Sequence, residues 1–496
     1  MMIEWVGYIL LGIYIISLAY VTIFCLVQFQ LLYHYRKHKS RFTSKSPLNG
    51  DNENDYPFIT VQLPIFNERY VVERLIENIT RLDYPKDKFE IHVIDDSTDI
   101  TTDLAKKAVQ KHLAEGFNIR HITRSNRQGY KAGALKEAMK YAKGDYICIF
   151  DADFLPKTDF LRRVLPYFDD EKVGVVQTRW EHINQDYSLL TRLQAFQLNV
   201  HFTVEQKGRD AGNYMLQFNG TAGVWRRKTI EDAGGWEADT LTEDLDLSYR
   251  AQLKGWKIVF REDIGSPAEL PSEMNGLKSQ QFRWMKGGAE TAKKMLPTVW
   301  RSSLDPITKF HATMHLLSST VFLFVFVIGV FSVPILFFII PLGIDPAYLS
   351  IFMLALLSII AVYFSANMEL AAKGESKLKT FMKFIFLFPV FLALSMGLSL
   401  HNSVAVIQGY WGKKSAFVRT PKFNITNLGD TFKKTDYLYR NISFITALEG
   451  ILALYFAGGL LAAYLIKDGS FLMLHILLVL GYGTIFYYSV KHSSAK

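Results

Sequence analysis

Cysteine is almost missing: Cys25 and Cys148 are the only two in 496 residues. A disulfide framework is excluded, and a zinc site would lack ligands. No Gly-x-Gly-x-x-Gly follows the first strand-like run of the soluble region, and there is no Walker loop. A dinucleotide oxidoreductase therefore loses its main sequence support. No RNA- or DNA-binding signature is present. The excess of basic over acidic residues, 56 against 47, needs a partner other than nucleic acid. Lys and Arg gather beside uncharged apolar runs, which is the pattern of cytoplasmic loops near anionic lipid.

Apolar residues are abundant, at 49% with 14% aromatic, which is high for a wholly soluble protein. Trp5 to Tyr35 carries no charge and exceeds the roughly 20 residues that cross a bilayer as a helix. A cleaved signal peptide would be shorter, would start from a basic region rather than Glu4, and would end in a small-residue cleavage site. Arg36, Lys37, Lys39, Arg41 and Lys45 follow at once. They put the next segment in the cytoplasm and the N-terminus outside. Further uncharged runs cover 310–344, 346–368, 384–412, 450–466 and 469–490. Lys373, Lys377, Lys379 and Lys383 precede the third of these runs, and Lys413, Lys414, Arg419, Lys422, Lys433, Lys434 and Arg440 follow it. Both flanks should be cytoplasmic, so the stretch between crosses twice or not at all, and it is too short for two crossings. Residues 381–411 are expected to form an interfacial or re-entrant helix broken near Pro389 and His401-Asn402. Five crossings remain, near 5–33, 312–341, 347–368, 444–466 and 470–490.

Residues 57–300 lack a comparable apolar run and read as one soluble domain. Strand-like Phe58–Leu63 is followed by a helical pattern over 69–81, then strand Glu90–Asp95, helix 101–114, a short strand near 119–122, helix 129–142 and strand Tyr146–Phe150. Strands alternating with helices of this length predict an α/β, doubly wound, mostly parallel sheet. Ligands of such sheets sit at the carboxyl ends of the strands, and both acidic clusters fall there.

Asp151-Ala152-Asp153 follows an apolar strand, so two carboxylates from one short loop suit Mg²⁺ or Mn²⁺. Such a cation would neutralise a leaving diphosphate. A solvated turn is the bland alternative, and the second cluster, Asp95-Asp96-Ser97-Thr98-Asp99, at another strand end weighs against it. Thr242-Glu243-Asp244 opens a helix-like stretch over 243–254. Its threonine also makes a good N-cap. Functionally, one carboxylate there would deprotonate an attacking hydroxyl. Gln280-Gln281-Phe282-Arg283-Trp284 lies on a helix before the second membrane run, where Arg and Trp suit an interfacial belt. They also suit a grip on diphosphate and a flat face for a sugar ring. Lys131, at a helix start, is a further phosphate partner.

Taken in order, Gln62-Leu63-Pro64-Ile65-Phe66-Asn67-Glu68, Asp95-Asp96, Lys131-Ala132-Gly133, Asp151-Ala152-Asp153, Thr242-Glu243-Asp244 and Gln280-x-x-Arg283-Trp284 resemble the family 2 glycosyltransferases. More narrowly, they resemble the membrane-integrated, cellulose-synthase-like group, and within it the mannan and glucan synthase-like branch. Phe417-Val418-Arg419-Thr420-Pro421-Lys422 is similar to the gating loop that closes over the donor in cellulose synthases, though with Arg-Thr-Pro at its centre. The resemblance implies a GT-A-like fold and a role for each matching residue. Asp95 or Asp96 would contact the nucleoside, and Asp151 and Asp153 would hold metal and diphosphate. Asp244, beside Glu243, would be the base. Lys131, Gln280, Arg283, Thr420 and Lys422 would hold the donor. Trp284 and Phe218-Asn219-Gly220-Thr221 would lie by the acceptor.

The expected organisation is an N-terminal span (1–35), a basic linker (36–56), the catalytic domain with interfacial helices (57–300) and two spans (301–370). An interfacial helix (371–411), a cytoplasmic gating segment (412–440) and two final spans (441–496) complete it. The expected activity is inverting, metal-dependent sugar transfer to a β-linked polysaccharide coupled to export, with UDP-glucose favoured over GDP-mannose. The expected location is the plasma (inner) membrane, with lipid around the spans and the catalytic domain in the cytoplasm. Transfer of one sugar to a lipid acceptor is the alternative within the class. A transporter or scaffold that only binds nucleotide is a third reading, and it leaves Asp244 without a use.

Overall fold

The computed structural model describes residues 2–39, 43–49, 56–338, 342–343, 346–371, 376–415, 417–426, 429–430 and 442–493. Arg41, Lys373, Lys433, Lys434 and Arg440, used above to assign sidedness, lie outside the described residues. Residues 59–268 hold a seven-stranded sheet built from β1 (Ile59–Ile65), β2 (Phe89–Asp95), β3 (Ile119–Thr123), β4 (Tyr146–Ile149), β5 (Val173–His182), β6 (Gly223–Arg226) and β7 (Lys257–Ala268). Their order across the sheet is β3-β2-β1-β4-β6-β5-β7. Every neighbouring pair is parallel except those made by β6, so the expected α/β, mostly parallel GT-A-like architecture is present.

Period-two alternation explains the two layers. Cys148 and Phe150 face one core with Leu75, Ile76 and Val109 from the helices Val72–Thr80 and Thr101–Ala114. Ile147 and Ile149 face the other with Leu135, Trp236 and Leu247, two of them from the helices Tyr130–Ala138 and Glu243–Leu253. Each aliphatic side chain fully buried in this way contributes about 1.5–3 kcal/mol.

The chain runs outward through β1, β2 and β3, then returns to place β4 on the other side of β1. That reversal is the switch point where ligands of such sheets bind. The β1 and β2 registers pair Ile65 with Asp95, so the loops after β1, β2 and β4 open on one rim. Because β6 is antiparallel, its leading residues, Asn219 to Ala222, arrive at that same rim. Glu269 follows β7 onto it.

Among the described residues, six helices are long and apolar enough to span a membrane: Glu4–Lys37, Ser318–Phe338, Leu349–Glu369, Lys377–Gly397, Phe444–Ile466 and Leu472–Ser493. The sequence reading expected five. The added one is Lys377–Gly397, which continues through Pro389, and Ser399–Trp411 continues through His401 and Asn402. The break falls at Leu398 instead. A proline removes only one N–H, and where water cannot replace helix hydrogen bonds the backbone keeps the remaining ones. Gly397 faces Gly481, where an added methyl carbon would sit 2.4 Å from a backbone atom. Small residues allow such close helix approach. The helix Met274–Arg301 links the layers, touching Ser399–Trp411, Pro306–Leu316 and the last helix. Exposed Ile9, Ile16, Leu454 and Leu461 give the long helices the apolar exterior that lipid requires.

Candidate active site

Asp151 and Asp153 follow β4, and the Asp151 backbone N–H is fixed by donating to Thr221 Oγ1 at 2.8 Å. Lys131 lies in the first turn of Tyr130–Ala138, after Gly129 at φ +73°. Its ammonium pairs with Asp151 and donates to the Gly220 carbonyl at 2.9 Å. Glu243 and Asp244 open the helix Glu243–Leu253, where a helix N-terminus favours negative charge. Thr242 makes no side-chain cap there and pairs with Thr291 Oγ1 at 3.0 Å instead. Gly220, at φ +77°, comes so close to the base candidate that an added Cβ would lie 3.1 Å from Asp244 Oδ2. The left-handed backbone and this proximity both call for glycine.

Met274–Arg301 supplies Gln280, Arg283 and Trp284 to the same cleft. Arg283 donates to Thr420 Oγ1 at 2.9 Å and lies 4.6 Å from the centre of the Phe417 ring. Residues 417–424 form a strap across the opening. Lys422 Nζ reaches Asp153 Oδ2 at 2.6 Å and the Glu269 carbonyl at 2.7 Å. Arg419 meets Glu68 at 3.2 Å. Both Glu269 carboxylate oxygens accept backbone N–H groups, from Phe423 and Asn424, each at 2.9 Å.

Asp151, Asp153, Glu243, Asp244, Lys131, Gln280, Arg283, Trp284, Asp96, Asn219, Gly220, Thr420 and Lys422 thus line one cavity of about 210 Å³. Asp95, Phe218 and Thr221 do not line it. Asp95 is buried and accepts from Ser97 N at 2.9 Å, with His121 Nε2 at 3.0 Å. Phe218 packs against Trp225 in the core, and Thr221 acts on Asp151 from behind. Asp96 faces the cleft, held by Arg124. Arg127, Glu68 and Glu269 also line it, although no chemistry was assigned to them from sequence. Glu269 offered one readable signal: an acid directly after a strand end.

Burial, and then the charge of Glu243, push Asp244 up to about 7. Burial also raises Glu243, against the opposing charge of Lys131. Burial lowers Lys131, but Asp151 and Glu243 more than offset it, so the ammonium is held charged. Burial lifts Glu68 to about 8 despite Arg419. The cleft therefore combines a carboxylate poised near neutrality, two carboxylates suited to a cation, and five basic side chains, Arg127, Lys131, Arg283, Arg419 and Lys422, suited to phosphate.

Residues 57–287 match the family model described as glycosyltransferase-like family 2. A probable glucomannan 4-beta-mannosyltransferase of Oryza sativa is 46% identical over 246 residues, 49% of this chain and 43% of that one. A glucomannan 4-beta-mannosyltransferase of Arabidopsis thaliana is 40% identical over 306 residues, 59% of this chain and 57% of that one. The chain spans about half the length of the curated relatives it matches. A mannosyltransferase of Pyrobaculum calidifontis, solved with GDP-mannose and Mn²⁺, shares the fold with a TM-score of 0.50 and 19% identity, covering 80% of this chain and 100% of that one. Fold, ordered motifs and family model agree: residues 57–287 form a domain like those of the family 2 glycosyltransferases, in a chain whose six long apolar helices suit a membrane.

Proposed function

We propose that this chain transfers mannose from GDP-mannose, with inversion, to the growing end of a β-linked mannan or glucomannan at the cytoplasmic membrane surface, and passes the product outward between its helices. The observation that carries this reading is the convergence of Asp151, Asp153, Asp244, Lys131 and Arg283 on one cleft. The names of the relatives favour mannose and lend no support to UDP-glucose, the donor expected first from sequence.

Asp151 and Asp153 would hold Mg²⁺ or Mn²⁺. The donor set fits, because both offer carboxylate oxygen at one rim and both already draw ammonium groups, Lys131 and Lys422. When bound, the cation supplies charge neutralisation to the departing diphosphate. Lys131, Arg283 and Lys422 bind the phosphates alongside it. Asp96, at the mouth of the cleft beside Arg127, takes the nucleoside. Trp284 offers the acceptor ring an apolar face. Asp244 removes the proton of the acceptor hydroxyl as its oxygen attacks the anomeric carbon. A single displacement of this kind inverts that carbon, and a positioned base contributes about 10²–10⁴-fold.

For sidedness, Lys377, Lys379 and Lys383 lie in the first two turns of Lys377–Gly397, and Lys413 and Lys414 follow Ser399–Trp411. Both flanks belong in the cytoplasm, so the pair enters the bilayer and returns.

The test is purified protein in lipid vesicles given radiolabelled GDP-mannose, UDP-glucose or other nucleotide sugars. Polymer from GDP-mannose is expected, with no incorporation under excess chelator. A single-sugar lipid product would turn the reading to a glycolipid synthase, and no turnover of any donor would remove it. Asp244→Asn should abolish transfer while leaving nucleotide diphosphate binding nearly intact, and wild-type turnover by that variant would cancel the base assignment.

A further inference from the structure

The helix Leu189–Val200 passes into a single π turn, His201–Gln206, before α geometry resumes at Lys207–Ala211. π turns are rare, occur mostly as single turns inside α-helices, and are frequent at functional sites. This one aims His201 and Gln206 at Asn219, on the rim of the cleft.

The polarity of the cluster follows from one backbone carbonyl. Gln206, fully buried, directs its side-chain N–H₂ to the Gln217 carbonyl at 2.9 Å. A carbonyl only accepts, so the orientation of the Gln206 amide is set. Its other N–H donates to Asn219 Oδ1 at 2.7 Å, which sets the Asn219 amide in turn. Asn219 Nδ2 then donates to His201 Nε2 at 2.8 Å, so that ring nitrogen must accept. The ring proton therefore sits on Nδ1 and is donated to Glu205 Oε2 at 2.9 Å. Burial raises the Glu205 carboxyl, but the His201 hydrogen bond and the Arg209 charge more than offset it and leave it at about 2. The acceptor at the end of the chain is thus a carboxylate.

The Asn219 backbone is anchored separately, by donation to Gln177 Oε1 at 2.8 Å. The π turn thus governs where the Asn219 side chain points rather than where its backbone lies. Asn219 directly precedes Gly220, which abuts Asp244. A hydroxyl that gives its proton to Asp244 belongs to a sugar lying over Asn219 and Gly220. After its two bonds, the Asn219 amide still has one N–H and one lone pair to offer that sugar.

We propose that His201 and Gln206 are positioning residues that hold the Asn219 amide against the acceptor sugar. This rests on Asp244 serving as the base of a glycosyl transfer. The experiment compares His201→Phe, His201→Gln, Asn219→Ala and the double variant His201→Phe/Asn219→Ala in the vesicle assay. Loss of one aligned hydrogen bond in His201→Phe should lower kcat about tenfold. KM for the nucleotide-sugar donor should stay within about twofold, because the donor contacts are untouched. His201→Gln, which restores an accepting atom, should recover to within about threefold of wild type. The double variant should be no worse than Asn219→Ala alone, because the two residues act as a unit. Wild-type kcat in His201→Phe, failure of His201→Gln to recover, or losses that multiply in the double variant would each overturn the proposal while the transferase reading stands. A wild-type protein that uses no donor overturns both.

Discussion

At the scale of single residues, a carboxyl serves as a base near neutral pH only if its surroundings raise its affinity for protons, and Asp244 meets that condition. Burial and Glu243 bring it to about 7. Below that value the group is protonated and cannot accept a proton, and above it the carboxylate is free to act. The value of kcat/KM for donor should therefore fall as pH drops through the region of 7, which a pH-rate profile at subsaturating GDP-mannose will show. Much at this scale could be read from sequence. Asp151, Asp153, Asp244 and Arg283 each belong to a short run whose spacing fixes where it points. Asp95 and Asp96 could not be separated, because the end of a strand sends adjacent side chains to opposite sides: Asp95 turns in to His121 and Asp96 out to the cleft. His201 escaped notice for another reason. A π turn leaves no trace in a pattern searched at 3.6 residues.

At the scale of elements, the helix bearing Gln280, Arg283 and Trp284 is tied to the penultimate helix by Lys278 and Glu449. Both are buried, with Nζ to Oε2 at 2.7 Å and Thr446 Oγ1 at 3.2 Å. Removing one member strands the other charge, so Glu449→Leu should destabilise the protein by about 3–5 kcal/mol. Lys278→Met/Glu449→Leu should recover most of that loss. Thermal unfolding in detergent micelles measures both. Strand and helix order over residues 59–149 was legible because period-two and period-3.6 runs alternate there cleanly. The break at Leu398 was not, since an apolar stretch without polar punctuation hides where one helix yields to the next.

At the scale of the whole molecule, the proposed sidedness requires the chain on either side of Lys377–Trp411 to emerge on one face. Both native thiols, Cys25 and Cys148, are buried, so an introduced cysteine reports alone. Ser376→Cys and Lys414→Cys should both react with an impermeant maleimide only when the cytoplasmic face is exposed. Labelling of the two from opposite faces would make Lys377–Gly397 a full crossing. Sequence conveyed a sheet-bearing segment between long apolar helices, because charge and hydropathy are summed over long stretches. It did not convey that the antiparallel β6 delivers Asn219 and Gly220 to a rim otherwise built from parallel strands. That depends on pairing between distant segments.

Glu269 secures the strap through the peptide nitrogens of Phe423 and Asn424. Those atoms are common to nineteen of the twenty amino acids. The clasp itself therefore asks nothing of either side chain; Phe423 is held separately, packed with Ile425 and Tyr187, and Asn424 sits at φ +59°, a left-handed backbone that favours Asn or Gly. A substitution at either position is therefore felt through packing or backbone shape rather than through the bonds to Glu269. Only proline at 423, which has no hydrogen to give, undoes that half of the fastening.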